Sequence, residues 1–167
     1  GTYVWNLYDF SSEIRDEGGL KHKNGKGLIT FDRKIKKDAY YYYMAQWSSK
    51  PFVKIAQSRF VKREQPEICI TVYSNQKEVD LYVNQNCYKG FSESGVFHFY
   101  KIALGQGENR VKAVSGEWED EAVFCGVTEK ELSYVYVDSN PGLNVKNWFT
   151  DVVEEERMFP KGMFSIR

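Results

Sequence analysis

The sequence predicts a mainly β protein, an antiparallel β-sandwich preceded by one strand–loop–helix unit of the α/β type. Three observations carry this expectation. From residue 66 to about residue 127 apolar and polar side chains alternate at period two, with turn residues roughly every ten positions, as in a series of short half-buried strands. Residues 3–10 are instead continuously apolar and aromatic, the pattern of a strand covered on both faces. The run IKKDAYYYYMAQW, residues 35–47, repeats its apolar positions at helical spacing.

Composition bounds what such a protein can do. Its 167 residues suffice for one domain and a remainder, and the aromatic fraction of 16% excludes a disordered chain. Basic and acidic side chains balance at 23 each, so no overall positive field draws the chain to nucleic acid. No stretch approaches the roughly 20 apolar residues of a membrane-spanning helix, and no signal-peptide pattern opens the chain. Two histidines, His22 and His98, leave little from which to build a histidine metal site or a nucleophilic triad, and no cofactor or metal is expected. Cys69, Cys87 and Cys125 fit neither an even disulfide framework nor a CxxC knuckle; they read as packed thiols, a bridge from Cys69 to one of the other two being the alternative.

The elements follow in order. Tyr3–Phe10 is the doubly covered strand. The charged, glycine-rich stretch from Ser11 to Thr30 is a long loop, and such loops are functional or mobile. Ile35 to Trp47 is a helix presenting Ile35, Ala39, Tyr42, Tyr43 and Gln46 on one face, closed by Ser48, Ser49 and Pro51. One strand and one helix cannot bury their own faces, so this half belongs with a larger body. A bridging strand over Phe52–Phe60 and a polar hinge at residues 62–66 lead into the sandwich. Ile68, Ile70 and Val72, then Val79, Leu81 and Val83, then Phe97 and Phe99 against His98 and Tyr100, then Val111 and Ala113 mark successive strands. Residues 122–127 and 132–137 add one or two more. Beyond Pro141-Gly142 the pattern fades, leaving an apolar anchor at Asn147–Phe149 and an acidic run from Asp151 to Glu156.

The wording of the first half, YVWNLYDF followed by NGKGLITFDRKIKKDAYYYY, resembles the C-terminal part of glycoside hydrolase family 2 enzymes of the β-galactosidase type. The resemblance implies that residues 1–50 are the last strand–loop–helix unit of a (β/α)8 catalytic barrel, residues 51–65 a bridge, residues 66–137 an appended immunoglobulin-like sandwich and residues 138–167 an extension. It further implies retaining hydrolysis of terminal β-galactosides by an acid/base glutamate and a nucleophilic glutamate, about 5 Å apart. Both lie on earlier barrel strands, so this chain alone is expected to be inactive. Glu13, Glu17 and the acidic run are not at strand ends of the family pattern and read as solvated charges.

The site residues implied for this chain bind sugar. Trp5 occupies the position whose ring faces the glycone, with barrel packing as the alternative role. Asn24 and Lys26 resemble the Asn-x-Lys element with which β-glucuronidases of the family hold a sugar carboxylate, an amide beside an ammonium suiting a uronate. Galactosidase relatives carry the same element, so β-galactosidase stays first and a β-glucuronidase-type enzyme second, and an ordinary surface loop is the plain alternative for Lys26. A third reading makes the sandwich a carbohydrate-binding module with Tyr73, Tyr82, Tyr88, Phe91 or Trp118 as stacking rings. The implied partner is a β-glycoside reached through the whole enzyme, which is secreted or periplasmic. The cut barrel segment exposes Tyr3, Val4, Trp5, Leu7 and the tyrosine face of the helix; it is expected to pack back on the sandwich, join a second copy as a homo-oligomer, or be poorly ordered.

Overall fold

A computed structural model describes residues 1, 3–12 and 22–134. Glu13 and Glu17, the strand expected over 135–137, the anchor at 147–149, the acidic run and the extension 138–167 lie outside the described residues. Gly1–Gly27 falls in one compact unit and Leu28–Val135 in a second.

Among the described residues of the first unit the pairing of strands is short. β1 (Phe10–Ser11) runs antiparallel to β2 (Lys23–Asn24). The strand expected over residues 3–10 is not formed: Tyr3 is 94% and Trp5 78% exposed, and Leu7 is exposed as well. A doubly covered strand needs parallel neighbours and helical layers, and among the described residues this unit has neither.

The second unit begins with helix α1 (Asp38–Trp47), shorter than expected by its first three residues. Its strands are β3 (Val53–Ile55), β4 (Lys62–Arg63), β5 (Glu67–Ser74), β6 (Glu78–Val83), β7 (Asn86–Phe91), β8 (Val96–Ala103), β9 (Gly107–Ser115) and β10 (Trp118–Gly126). They form sheets of order β3-β5-β8 and β4-β10-β9-β6-β7. All neighbours are antiparallel except β4 and β10, which are parallel. This is an immunoglobulin-like sandwich whose first strand is split between the two sheets. The segment expected as a bridge supplies both pieces, β3 and β4, one edge strand to each sheet.

Period-two alternation delivers the core. Ile70 and Val72 of β5, Val79, Leu81 and Val83 of β6, Val111 and Ala113 of β9 and Phe124 of β10 are buried in one cluster shared by the sheets. Each such aliphatic side chain contributes about 1.5–3 kcal/mol relative to exposure. Phe97 and Phe99 point inward and His98 and Tyr100 outward. Opposite the phenylalanines the sheet has Gly90, where a Cβ would stand 2.7 Å from the Phe99 ring and 3.2 Å from that of Phe97. The pairing of β5 with β8 then slips: Ile70 faces Phe99 but Ile68 faces Ile102, so Tyr100 and Lys101 oppose Cys69 alone. Lys101 takes φ +54° in this bulge, and the slip returns Ile102 to the core.

The cysteines depart from expectation. Cys69 and Cys87 are exposed and Cys125 half-buried, and all three are free. Cys69 sits at the bulge and Cys87 opposite Tyr82 on the outer face of its sheet, so strand register decides their exposure. Over 132–137, where a strand was expected, Leu132–Tyr134 is a single 3-10 turn.

Helix α1 packs on the sandwich. Tyr41 lies against Phe52 and Tyr42 against Tyr73, at ring separations of 6.5 and 6.3 Å, and the Gln46 amide donates to the Ser94 carbonyl at 2.5 Å. The Asp38 carboxylate accepts the Gln57 N–H at 3.0 Å. The inward stripe is therefore Asp38, Tyr41, Tyr42 and Ala45, rotated from the expected face on which Ala39 was included; Ala39 is exposed. Tyr42 and Gln46 of the expected face do meet the sandwich; the shift toward Asp38 and Tyr41 follows from the Asp38 bond to Gln57 and the Tyr41–Phe52 ring contact, which period counting does not register.

Three polar side chains, two of them buried and one half-buried, join segments distant in sequence. Asn109, 1% exposed, accepts the Gly105 N–H at 2.9 Å and the Asn84 amide at 3.0 Å, and donates to the carbonyls of Gly105, Gly107 and Phe124. Ser74 donates to the Phe52 carbonyl at 2.7 Å and is fully buried. Asp120, half-buried on β10, accepts the Ile55 N–H at 2.9 Å and the Lys54 ammonium at 3.0 Å, tying edge strand β3 to the opposite sheet.

Two outcomes follow. Asn109→Ala strands several buried partners and lowers the stability of the chain by about 3 kcal/mol, read as a lower urea midpoint, whereas Asn86→Ala on an exposed site leaves it unchanged. The Glu131 carboxyl is held down to about 2, from an ordinary 4.5, by the Lys62 ammonium at 2.5 Å and by Ser133. A value lowered by folding means the contribution is whole above pH 4.5 and is lost as the pH falls toward 2. The pair is exposed and screened, so the loss is local: amide exchange at Ser133 and Tyr134 speeds up below pH 4.5 in the native chain and becomes independent of pH, after correction for intrinsic exchange, in Glu131→Gln.

Candidate functional site

Trp5, Asn24 and Lys26 all belong to the first unit, where two short chain segments are clamped together. Asn24 is buried at 4% exposure and pairs with Phe10 across the β1–β2 ladder. The Phe10 ring in turn meets the exposed Trp5 ring edge-on, 6.5 Å between centroids. The Asn24 side-chain oxygen accepts the Lys26 N–H at 3.0 Å, which folds the Asn-x-Lys element into an Asx-type turn. Lys26 is thereby presented on an exposed turn. The Trp5–Asn6 peptide is cis.

The clamp is completed by a residue the sequence reading passed over. Asp9 accepts the Gly27 N–H at 2.9 Å across 18 positions. Only glycine fits there, since a Cβ on Gly27 would lie 2.1 Å from the Asp9 nitrogen and 2.2 Å from the Tyr8 carbonyl carbon. The available signal was an acid inside an otherwise apolar run, together with a glycine directly after Asn-x-Lys. The arrangement offers an aromatic face, a cation and a buried amide on one small scaffold. Groups of these types suit the binding of a polar ring compound, whereas no acid/base pair or activated nucleophile is built from Trp5, Asn24 and Lys26.

The rings expected of a binding module are dispersed. Tyr73 is half-buried under Tyr42 and Tyr88 packs against the core. Tyr82 bonds to Cys87, and that contact, with its thiol charge and partial burial, raises the phenol above its ordinary value. Phe91 and Trp118 are exposed, with Phe91 on the outer face of the larger sheet and Trp118 at the start of its inner-facing residues. Among the described residues no three His, Cys, Asp or Glu side chains converge in a way that could hold a metal, and no helix is long and apolar enough to cross a membrane.

No family model matches the chain. A β-glucuronidase of Bacteroides fragilis is 37% identical over 118 residues, which are 69% of this chain and 17% of that protein. The crystal structure of an FMN-binding β-glucuronidase from Faecalibacterium prausnitzii superposes with a TM-score of 0.75 at 36% identity, covering 80% of this chain and 20% of the relative. A second, from a Bacteroides fragilis protein provisionally named a β-galactosidase, gives 0.69 at 36% identity, covering 75% of this chain and 20% of that one. The chain thus spans a fifth or less of the length of these relatives, which are described as β-glucuronidases more often than as β-galactosidases. With its sandwich fold and these similarities, the chain belongs to a glycoside hydrolase family 2-type protein, of which it is one region.

Proposed function

We propose that the chain is the C-terminal region of a retaining β-glycosidase. On this reading residues 1–50 close the catalytic barrel, residues 51–65 lead into the sandwich of residues 66–137, and residues 138–167 extend it. Both catalytic glutamates lie upstream. One protonates the leaving oxygen while the other attacks the anomeric carbon, and the first then activates water to release the sugar. This chain's share is to wall the sugar site with Trp5 and to hold a substituent of the sugar with the turn at Asn24 and Lys26.

For the sugar, the reading we put first is a β-glucuronide. The observation that favours it is that the relatives are described as β-glucuronidases more often than as β-galactosidases; the Asn24–Lys26 turn, in which the Asn24 side chain braces the Lys26 backbone and Lys26 is exposed, agrees with it. An ammonium so placed suits a sugar carboxylate, and a charged hydrogen bond is worth about 1.5–3 kcal/mol. A β-galactoside is the second reading, favoured by the 36% identity to the protein provisionally named a β-galactosidase.

The test uses the whole enzyme with 4-nitrophenyl β-glucuronide and 4-nitrophenyl β-galactoside. Lys26→Ala lowers kcat/KM for the glucuronide about 10- to 100-fold and leaves any galactoside turnover nearly unchanged. Equal losses on both sugars, or turnover of the galactoside alone by the wild type, would favour the second reading. Hydrolysis by the 167-residue chain itself would overturn the placement of the chemistry upstream. Gly27→Ala forces the loop off Asp9 and raises KM for either sugar, while the urea midpoint of the sandwich is unmoved.

A further inference from the structure

A cleft of about 920 Å3 lies beside the start of α1, within the second unit. Five cations line it, Lys34, Lys36, Lys37, Lys54 and Arg59, against the single carboxylate of Asp38. The chain as a whole is neutral, so this is a local concentration of charge of one sign. Asp38 is already engaged by the Gln57 N–H, Lys54 by Asp120, and the Lys36 ammonium rests 4.8 Å above the Tyr40 ring. Lys34 and Arg59 are exposed and pair with no acid among the described residues. Tyr41, Phe60 and Tyr134 supply aromatic surface, the last two meeting edge to face at 4.3 Å.

We propose that this cleft is an accessory site for an acidic oligosaccharide, one that carries carboxylate or sulfate groups at repeated positions. The cations come from three separate segments, the stretch before α1, strand β3 and the turn after it, which suits several charges spaced along a chain. The volume exceeds what a single sugar ring fills, and the aromatic side chains of Tyr41, Phe60 and Tyr134 give part of the wall the apolar character that the C–H faces of pyranose rings need. The choice of a sugar ligand rests on the glycosidase reading above; the cleft and its charge do not.

The experiment is calorimetric titration of the 167-residue chain with four probes: a hexamer of polygalacturonate, a heparin-derived hexasaccharide, neutral cellohexaose, and flavin mononucleotide, the ligand for which the Faecalibacterium relative is described. At least one acidic hexasaccharide is expected to bind about 10-fold or more tighter than cellohexaose, with affinity falling as salt rises from about 50 to about 300 mM. The two acidic probes separate carboxylate from sulfate recognition. The double variant Lys34→Ala/Arg59→Ala, on exposed positions, is expected to keep the wild-type melting curve and to weaken acidic binding about 10-fold. Absence of binding, equal binding by the double variant, or flavin mononucleotide binding tighter than either acidic sugar would overturn the proposal. Failure of the whole enzyme to hydrolyse either nitrophenyl glycoside, with the acidic hexasaccharide still bound, would sink the glycosidase reading and leave the cleft standing.

Discussion

The amide of Asn109 is the constraint around which one end of the sandwich is arranged. It is buried at 1% exposure yet satisfied on both its oxygen and its nitrogen, through Gly105 of the β8–β9 connection, Gly107 at the start of β9, Phe124 of β10 and Asn84 of the β6–β7 turn. Asn84 itself turns with φ +54° and returns a second bond to the Arg110 N–H. Neither of these two connections could be displaced without leaving a buried polar atom unpaired, at roughly 1–3 kcal/mol each. Ser74 and Asp120 do the equivalent elsewhere, one holding the start of β3 and the other its end. Neither edge strand of the bridge is long enough to persist on its own few ladder bonds, so these side-chain links are what keep β3 in its sheet.

The same logic docks the helix. No residue of α1 is fully buried, so apolar burial alone holds it weakly. Its position is set at one end by Asp38 on the Gln57 backbone and at the other by Gln46 on the Ser94 carbonyl, with the Tyr41 and Tyr42 rings between. A consequence is that the lysines before the helix face the turn that carries Arg59, and a chain without net charge acquires a cationic cleft. Unpaired desolvated charge would be costly there, but Lys34 and Arg59 are exposed and Lys54 is paired with Asp120.

The site is divided in the same manner between what a motif announces and what folding supplies. Trp5, Asn24 and Lys26 could be named because their residue types and spacing match a family pattern. Asp9 could not, because its role exists only when residues 9 and 27 meet. Nor could the cleft, whose cations sit at 34–37, 54 and 59 and become neighbours through the packing of α1 on the sandwich.

What the sequence by itself determined is local: period-two alternation gives the strands β5, β6, β8 and β9 and their buried faces, turn residues end them, and helical spacing places α1. Those patterns are readable because side-chain direction in a strand or helix follows from backbone geometry alone. The tertiary structure decided the rest. It split the bridging segment between two sheets, shifted β8 at Tyr100–Lys101 so that Phe99 and Ile102 share the core, brought Asp38, Tyr41, Tyr42 and Ala45 of α1 toward the sandwich, left Tyr3, Trp5 and Leu7 exposed, and exposed Cys69 and Cys87. The placing of β3 and of α1 depends on hydrogen bonds and ring contacts between residues far apart in the chain, and such a contact has no energy until the chain has folded far enough to make it.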